Sequence, residues 1–165
     1  MRSLRRSGAV FLLLLVVAAG AGVAAATPAG QELVVADAET GETLLAVPVE
    51  ENTTVALEYT HSVEKNRVLD AYAVRDGELV MTRMEFESYG AGLPANADVA
   101  IENGTFVFDP DNTVDELYVK PGRIAGHRLH VGDRTYDLVA LSDARSVRLS
   151  VERRSALDVA ISPII

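Results

Sequence analysis

Apolar and polar positions alternate along most of the chain in short runs, and a turn residue follows nearly every run. The runs cover residues 32–38, 43–49, 53–63, 68–75 and 78–87, then 98–102, 105–108, 116–120, 127–131, 134–141 and 147–152. Within 53–63 the odd positions Val55, Leu57, Tyr59, His61 and Val63 share one face, and Thr54, Ala56, Glu58, Thr60 and Ser62 share the other. His61 is therefore expected on the core side, at the end of an apolar stripe. Within 78–88 the even positions Val80, Thr82, Met84, Phe86 and Ser88 make the more apolar stripe, again with a polar residue last. Asp76-Gly77, Asn103-Gly104 and Gly132-Asp133 fall between runs, where residues that tolerate positive φ close two-residue hairpins. The pattern predicts an all-β fold with almost no helix: a single antiparallel β-sandwich or barrel of roughly ten short strands.

One stretch has no such alternation. Arg2, Arg5 and Arg6 precede 19 uncharged positions, Gly8 to Ala26, which end in small residues. Residues 1–26 are read as a signal peptide or an N-terminal membrane anchor, and residues 27–165 as a single all-β domain exported from the cytoplasm. Contact with a membrane is expected only through this segment, if it stays uncleaved. Residues 155–165 are apolar but too few to span a bilayer.

Composition then narrows the function classes. The 165 residues include no cysteine, which excludes disulfides, thiolate metal sites and a cysteine nucleophile. A net charge of −9 argues against nucleic-acid partners. Without the first 26 residues, 12 bases face 24 acids, a net charge of −12, and Lys65 and Lys120 are the only lysines. Such a surface suits solubility at high salt, so a halophilic host is expected.

The chemistry-bearing residues gather between positions 53 and 94. Three runs joined this closely form an up-down-up meander, so the first and third point the same way and bring His61 and Ser88 to one end of the sheet. Two strand spacings separate their backbones by roughly 10 Å, within reach of one ligand. Gly90 and Gly92 follow Ser88 and can bring backbone N–H groups close to an anion. Lys65 or Arg67, in the neighbouring turn, supplies positive charge.

Tyr59-Thr60-His61-Ser62-Val63-Glu64-Lys65, followed by Phe86-Glu87-Ser88-Tyr89-Gly90-Ala91-Gly92-Leu93-Pro94, resembles the signature of a domain-of-unknown-function family of small exported proteins. Members of that family are often encoded beside TAXI-type TRAP transporters, which import small organic acids. Where similar proteins carry further acidic and aromatic residues, this chain has Leu69-Asp70-Ala71-Tyr72, which leaves the equivalence of Asp70 open. The resemblance implies an accessory of solute uptake, with transporter subunits and a small organic acid as partners. The expected ligand-binding set is His61, Ser62, Glu64, Lys65, Ser88, Gly90 and Gly92.

Other readings compete. A Ser–His hydrolase would use Ser88 as nucleophile and His61 as base, but the nucleophile-elbow pattern and an orienting acid are missing. A purely structural module would dock on a membrane subunit without a small ligand. His61-x-x-Glu64 and His127-x-x-His130 hold zinc-type ligands at an offset that a strand sends to opposite faces. His127 and His130 are instead expected to flank an exposed hairpin. Residues 109–116 alternate acids like a calcium loop but lack its glycine, and a solvated loop is expected there. Neither a metal nor a cofactor is assigned.

Overall fold

The alternating runs become strands close to where the pattern puts them. A computed structural model describes residues 28–88 and 99–155. The described strands are β1 (Pro28–Asp37), β2 (Thr43–Val49), β3 (Thr54–Thr60), β4 (Arg67–Arg75), β5 (Glu78–Phe86) and β6 (Ala100–Glu102). They continue with β7 (Thr105–Phe108), β8 (Asn112–Val114), β9 (Glu116–Val119), β10 (Arg128–Val131), β11 (Arg134–Asp137) and β12 (Val147–Ser155). Among the described residues one short helix, α1 (Leu138–Ser142), precedes the last strand.

Within the compact unit Gln31–Glu152 these strands make two sheets. The smaller has the order β2-β1-β12-β9, and the larger runs β11-β10-β3-β4-β5-β7-β6 with β8 also paired to β5. The core lies between the sheets. Leu33, Val35, Val47, Val49, Val147 and Leu149 come from the smaller, and Val55, Leu57, Tyr72, Val74, Leu129 and Val131 from the larger. Every pair along a strand is two residues apart, the spacing that keeps side chains on one face. The fold is an all-β sandwich, as the alternation predicts.

The predicted meander is present: β3 pairs antiparallel with β4, and β4 with β5. Asp76 and Gly77 have φ of 53° and 87°, and Asn103 and Gly104 have φ of 52° and 87°, the two positive values that a type I′ hairpin requires.

Three expectations are corrected. The even-numbered stripe of 78–88 is not continuous, because the β4–β5 register shifts between Ala71 and Tyr72: Ala71 faces Arg83, whereas Tyr72 faces Met81. Thr82 is the extra residue of a bulge, and its hydroxyl lies 3.4 Å from the Ala71 carbonyl. Leu79 and Met81 therefore share the inner face with Met84 and Phe86, opposite Val74, Tyr72, Asp70 and Val68. Second, the run 134–141 breaks at Asp137, whose carboxylate accepts the Ala140 N–H at 3.0 Å and caps α1. Leu138, fully buried, anchors that helix in the core. Third, residues 109–116 are not one solvated loop, since β8 pairs there with β5. His127 and His130 lead into the β10–β11 hairpin, whose turn Gly132-Asp133 is exposed as expected, and both side chains are partly buried.

Candidate functional site

β3 ends at Thr60, so His61 opens a turn instead of closing the strand. That turn is braced from inside. The His61 N–H donates to the Asn66 carbonyl at 2.8 Å, and the Lys65 N–H donates to the His61 carbonyl at 3.0 Å. The Glu64 N–H donates to His61 Nδ1 at 3.2 Å, which leaves Nε2 to carry the proton of the neutral ring. Lys65 sits at φ 60°, the left-handed geometry that reverses the chain.

Ser88 lies two residues beyond the end of β5, and its hydroxyl donates to the Glu64 carboxylate at 3.2 Å. His61, Glu64 and Ser88 line one cavity of about 30 Å³, floored by Tyr59, Val68, Met84 and Phe86. The meander thus brings His61 and Ser88 together at one end of the sheet, as the strand directions predict. The chemistry between them differs from a Ser–His pair: among the described residues Ser88 bonds Glu64, and His61 Nδ1 is occupied by a backbone amide. Ser62 and Lys65 are exposed on the turn, and neither lines the cavity. Gly90 and Gly92 lie outside the described residues. The cavity has room for about two water molecules, at roughly 10–15 Å³ each. Its charged lining is Glu64, Glu87 and Arg67. Arg67 is already held by Glu58 at 3.0 Å and Glu85 at 3.1 Å.

Asp70 stands next to this cavity. It faces Met84 across the ladder and follows Val68 on the inner face. Burial pushes its carboxyl up to about 6, opposed by the Tyr59 hydroxyl, and among the described residues its Oδ1 has no hydrogen-bond partner. Burial and the Asp70 charge push the Tyr72 hydroxyl up to about 12. Tyr59 is raised further for the same reasons. On the other side of Tyr59, the His127 ring stacks at 4.9 Å between centroids and 9° between planes. His127 Nδ1 accepts the Gly122 N–H at 3.2 Å, and burial holds its pKa below the ordinary histidine value. His130 points to the opposite face, where Nδ1 meets Thr135 Oγ1 at 3.0 Å.

The sequence reading missed the second concavity at this end. An open groove of about 310 Å³ runs past the end of β3, walled by Tyr59, Thr60, Arg67, Arg128 and the 124–126 loop. The Thr60 N–H donates to the Ala125 carbonyl at 2.8 Å and ties that loop to the strand end. Arg128 enters because β10 pairs with β3, with Arg128 opposite Glu58. Tyr59 and Arg67 belong to both the cavity and the groove.

The family model described as Domain of unknown function (DUF1850) matches residues 55–138. The chain belongs to the DUF1850 family. No curated protein and no solved structure matches it. The DUF1850 segment takes in nearly all of the larger sheet and β9, and leaves β1, β2 and β12 outside. The braced turn, the cavity and the groove all lie within it.

Proposed function

We propose that this DUF1850 protein is an exported accessory of a TAXI-type TRAP solute uptake system that engages a transporter component through the His61–Arg67 turn. The observation that carries this reading is the turn's construction. Three hydrogen bonds within it and one from Ser88 fix it, yet Val63 at its tip is 75 % exposed, flanked by exposed Ser62, Glu64 and Lys65. A turn already held in shape loses little conformational entropy when a partner covers it, so its apolar tip contributes more fully to affinity. The transporter context comes from the resemblance of the two motifs around this turn and Ser88. A cavity of about 30 Å³ is well below the roughly 300 Å³ at which small-molecule sites begin, which favours a macromolecular partner here over an enclosed organic acid.

The test is affinity purification of the tagged protein from membranes that contain the transporter. Its subunits are expected to co-purify with the wild type and with Ile101→Asp, a change at an exposed apolar residue on β6, and to be lost with Val63→Asp. Equal recovery with Val63→Asp, or none with the wild type, rejects the reading.

A further inference from the structure

We propose that the groove between the end of β3 and the 124–126 loop binds a small organic carboxylate with a short apolar tail, with Arg128 as the principal contact of the carboxylate. The site is separate from the exposed tip of the turn, and its test needs no transporter.

The argument begins with the charges on the outer face of the larger sheet. Glu58 stands between two arginines. It accepts from Arg67 Nε at 3.0 Å, whereas Arg128 Nη1 lies 3.7 Å from its other oxygen. The second distance is an ion pair without a hydrogen bond. Arg67 spends another nitrogen on Glu85 at 3.1 Å. The Arg128 side chain makes no hydrogen bond among the described residues and is 62 % exposed. The groove is lined by two guanidinium groups and one carboxylate, and with Arg67 held by Glu58 and Glu85, Arg128 is the guanidinium left to meet an anion in a chain whose total charge is −9. An unengaged guanidinium presents parallel N–H donors that match the two oxygens of a carboxylate.

The remaining walls select what is attached to that carboxylate. Ile124, at the rim, is 85 % exposed. Tyr59 lines the groove only where β3 ends, its ring standing on the inner face against His127, so the apolar contact comes from Ile124 and Ala125. At about 310 Å³ the groove is at the lower end of the size range of small-molecule sites, suited to a short chain rather than a nucleotide. The anion that the sequence places beside Lys65 is thus better served by arginines that the strand pairing delivers a few residues away.

The test is a titration of the ¹⁵N-labelled protein at low salt with sodium butyrate, with butyramide as the uncharged counterpart and sodium phosphate as an anion without a tail. Butyrate is expected to shift the amide signals of Thr60, Ala125 and Gly126 saturably, and butyramide and phosphate are not. Arg128→Gln is expected to weaken butyrate roughly tenfold, and Arg128→Lys to fall between, because an ammonium lacks the fork. Glu58→Gln is expected to tighten it by about threefold, since it removes the competing carboxylate. All three substitutions are at exposed or partly exposed positions, and the dispersion of the remaining amide signals reports that each variant is folded. Equal shifts from butyramide or phosphate, or an Arg128→Gln titration that overlays the wild type, would overturn the proposal.

Discussion

Asp37 and Asp70 are both carboxylates on strands that face the core, and the fold treats them in opposite ways. Asp37 ends β1 with 2 % of its surface exposed. Its Oδ1 accepts the N–H groups of Glu39 and Thr40 at 2.9 Å each, and its Oδ2 is ion-paired with Arg145. The Thr40 and Glu39 amides, with help from Arg145, hold its carboxyl below the ordinary value against the cost of burial. Asp70, midway along β4, has the Tyr59 hydroxyl and an Oδ1 with no partner among the described residues, and burial pushes it up to about 6. A buried carboxylate is stabilising where its lone pairs are met and costly where they are not. One is a chain-reversal device that locks the turn between β1 and β2. The other leaves unmet hydrogen-bonding capacity beside the cavity and Tyr59, where a structural rule is broken next to the candidate site.

The difference gives the two groups opposite pH signatures. For Asp37 the folded value lies below the unfolded one, so its contribution is complete above the ordinary 3.8 and is lost as pH falls through the folded value. For Asp70 the folded value of about 6 lies above the ordinary 3.8. Between those values the folded state holds more protons, so stability falls as pH rises across the window and stays reduced above it. The largest expected effect is that of Asp37→Ala, which leaves two turn amides and Arg145 without their acceptor. Its melting midpoint at pH 7 is expected to fall on the order of 10 °C. Next comes Asp70→Asn, which removes the buried charge. At pH 8 it is expected to melt roughly 5 °C above the wild type, and at pH 4 together with it. Melting curves of both variants from pH 4 to 8 check the contrast, and a pH-independent offset for Asp70→Asn would break it.

Much of this was legible in the chain itself. The limits of β2 and β7, both Asx-Gly hairpins and the β3–β4–β5 meander follow from alternation and turn chemistry, which are local. The corner of His61 and Ser88 follows from strand direction alone. The bulge at Thr82 was not legible, because an extra residue leaves no mark in the alternation except a change of parity, and Val80 is apolar on the outer side as well. Arg128 was missed for a different reason. Its place beside Glu58 depends on β10 pairing with β3, some 70 positions apart in sequence, and period-two patterns carry no information about which strands are neighbours. Asp70 was within reach: counting by two from Val68 to Val74 puts it on the inner face, between Val68 and Tyr72. What the count does not give is whether a partner meets its oxygens. That depends on how far the Tyr59 ring extends across the strand pair.

Two smaller effects sharpen the comparison by removing the partners instead of the acids. Tyr59→Phe deletes the hydroxyl that opposes the rise in the Asp70 pKa. It is expected to lower the melting midpoint by roughly 3 °C at pH 8, where Asp70 is ionised, and to leave it unchanged at pH 4. Arg145→Gln is expected to cost about 2 °C at pH 7, less than Asp37→Ala, because the guanidinium side chain is half exposed and the two backbone amides still satisfy Oδ1. The order of these two losses separates what holds each acid. If Arg145→Gln matched Asp37→Ala, the ion pair and not the turn amides would be the main support of Asp37, and the contrast with Asp70 would reduce to the presence of one arginine.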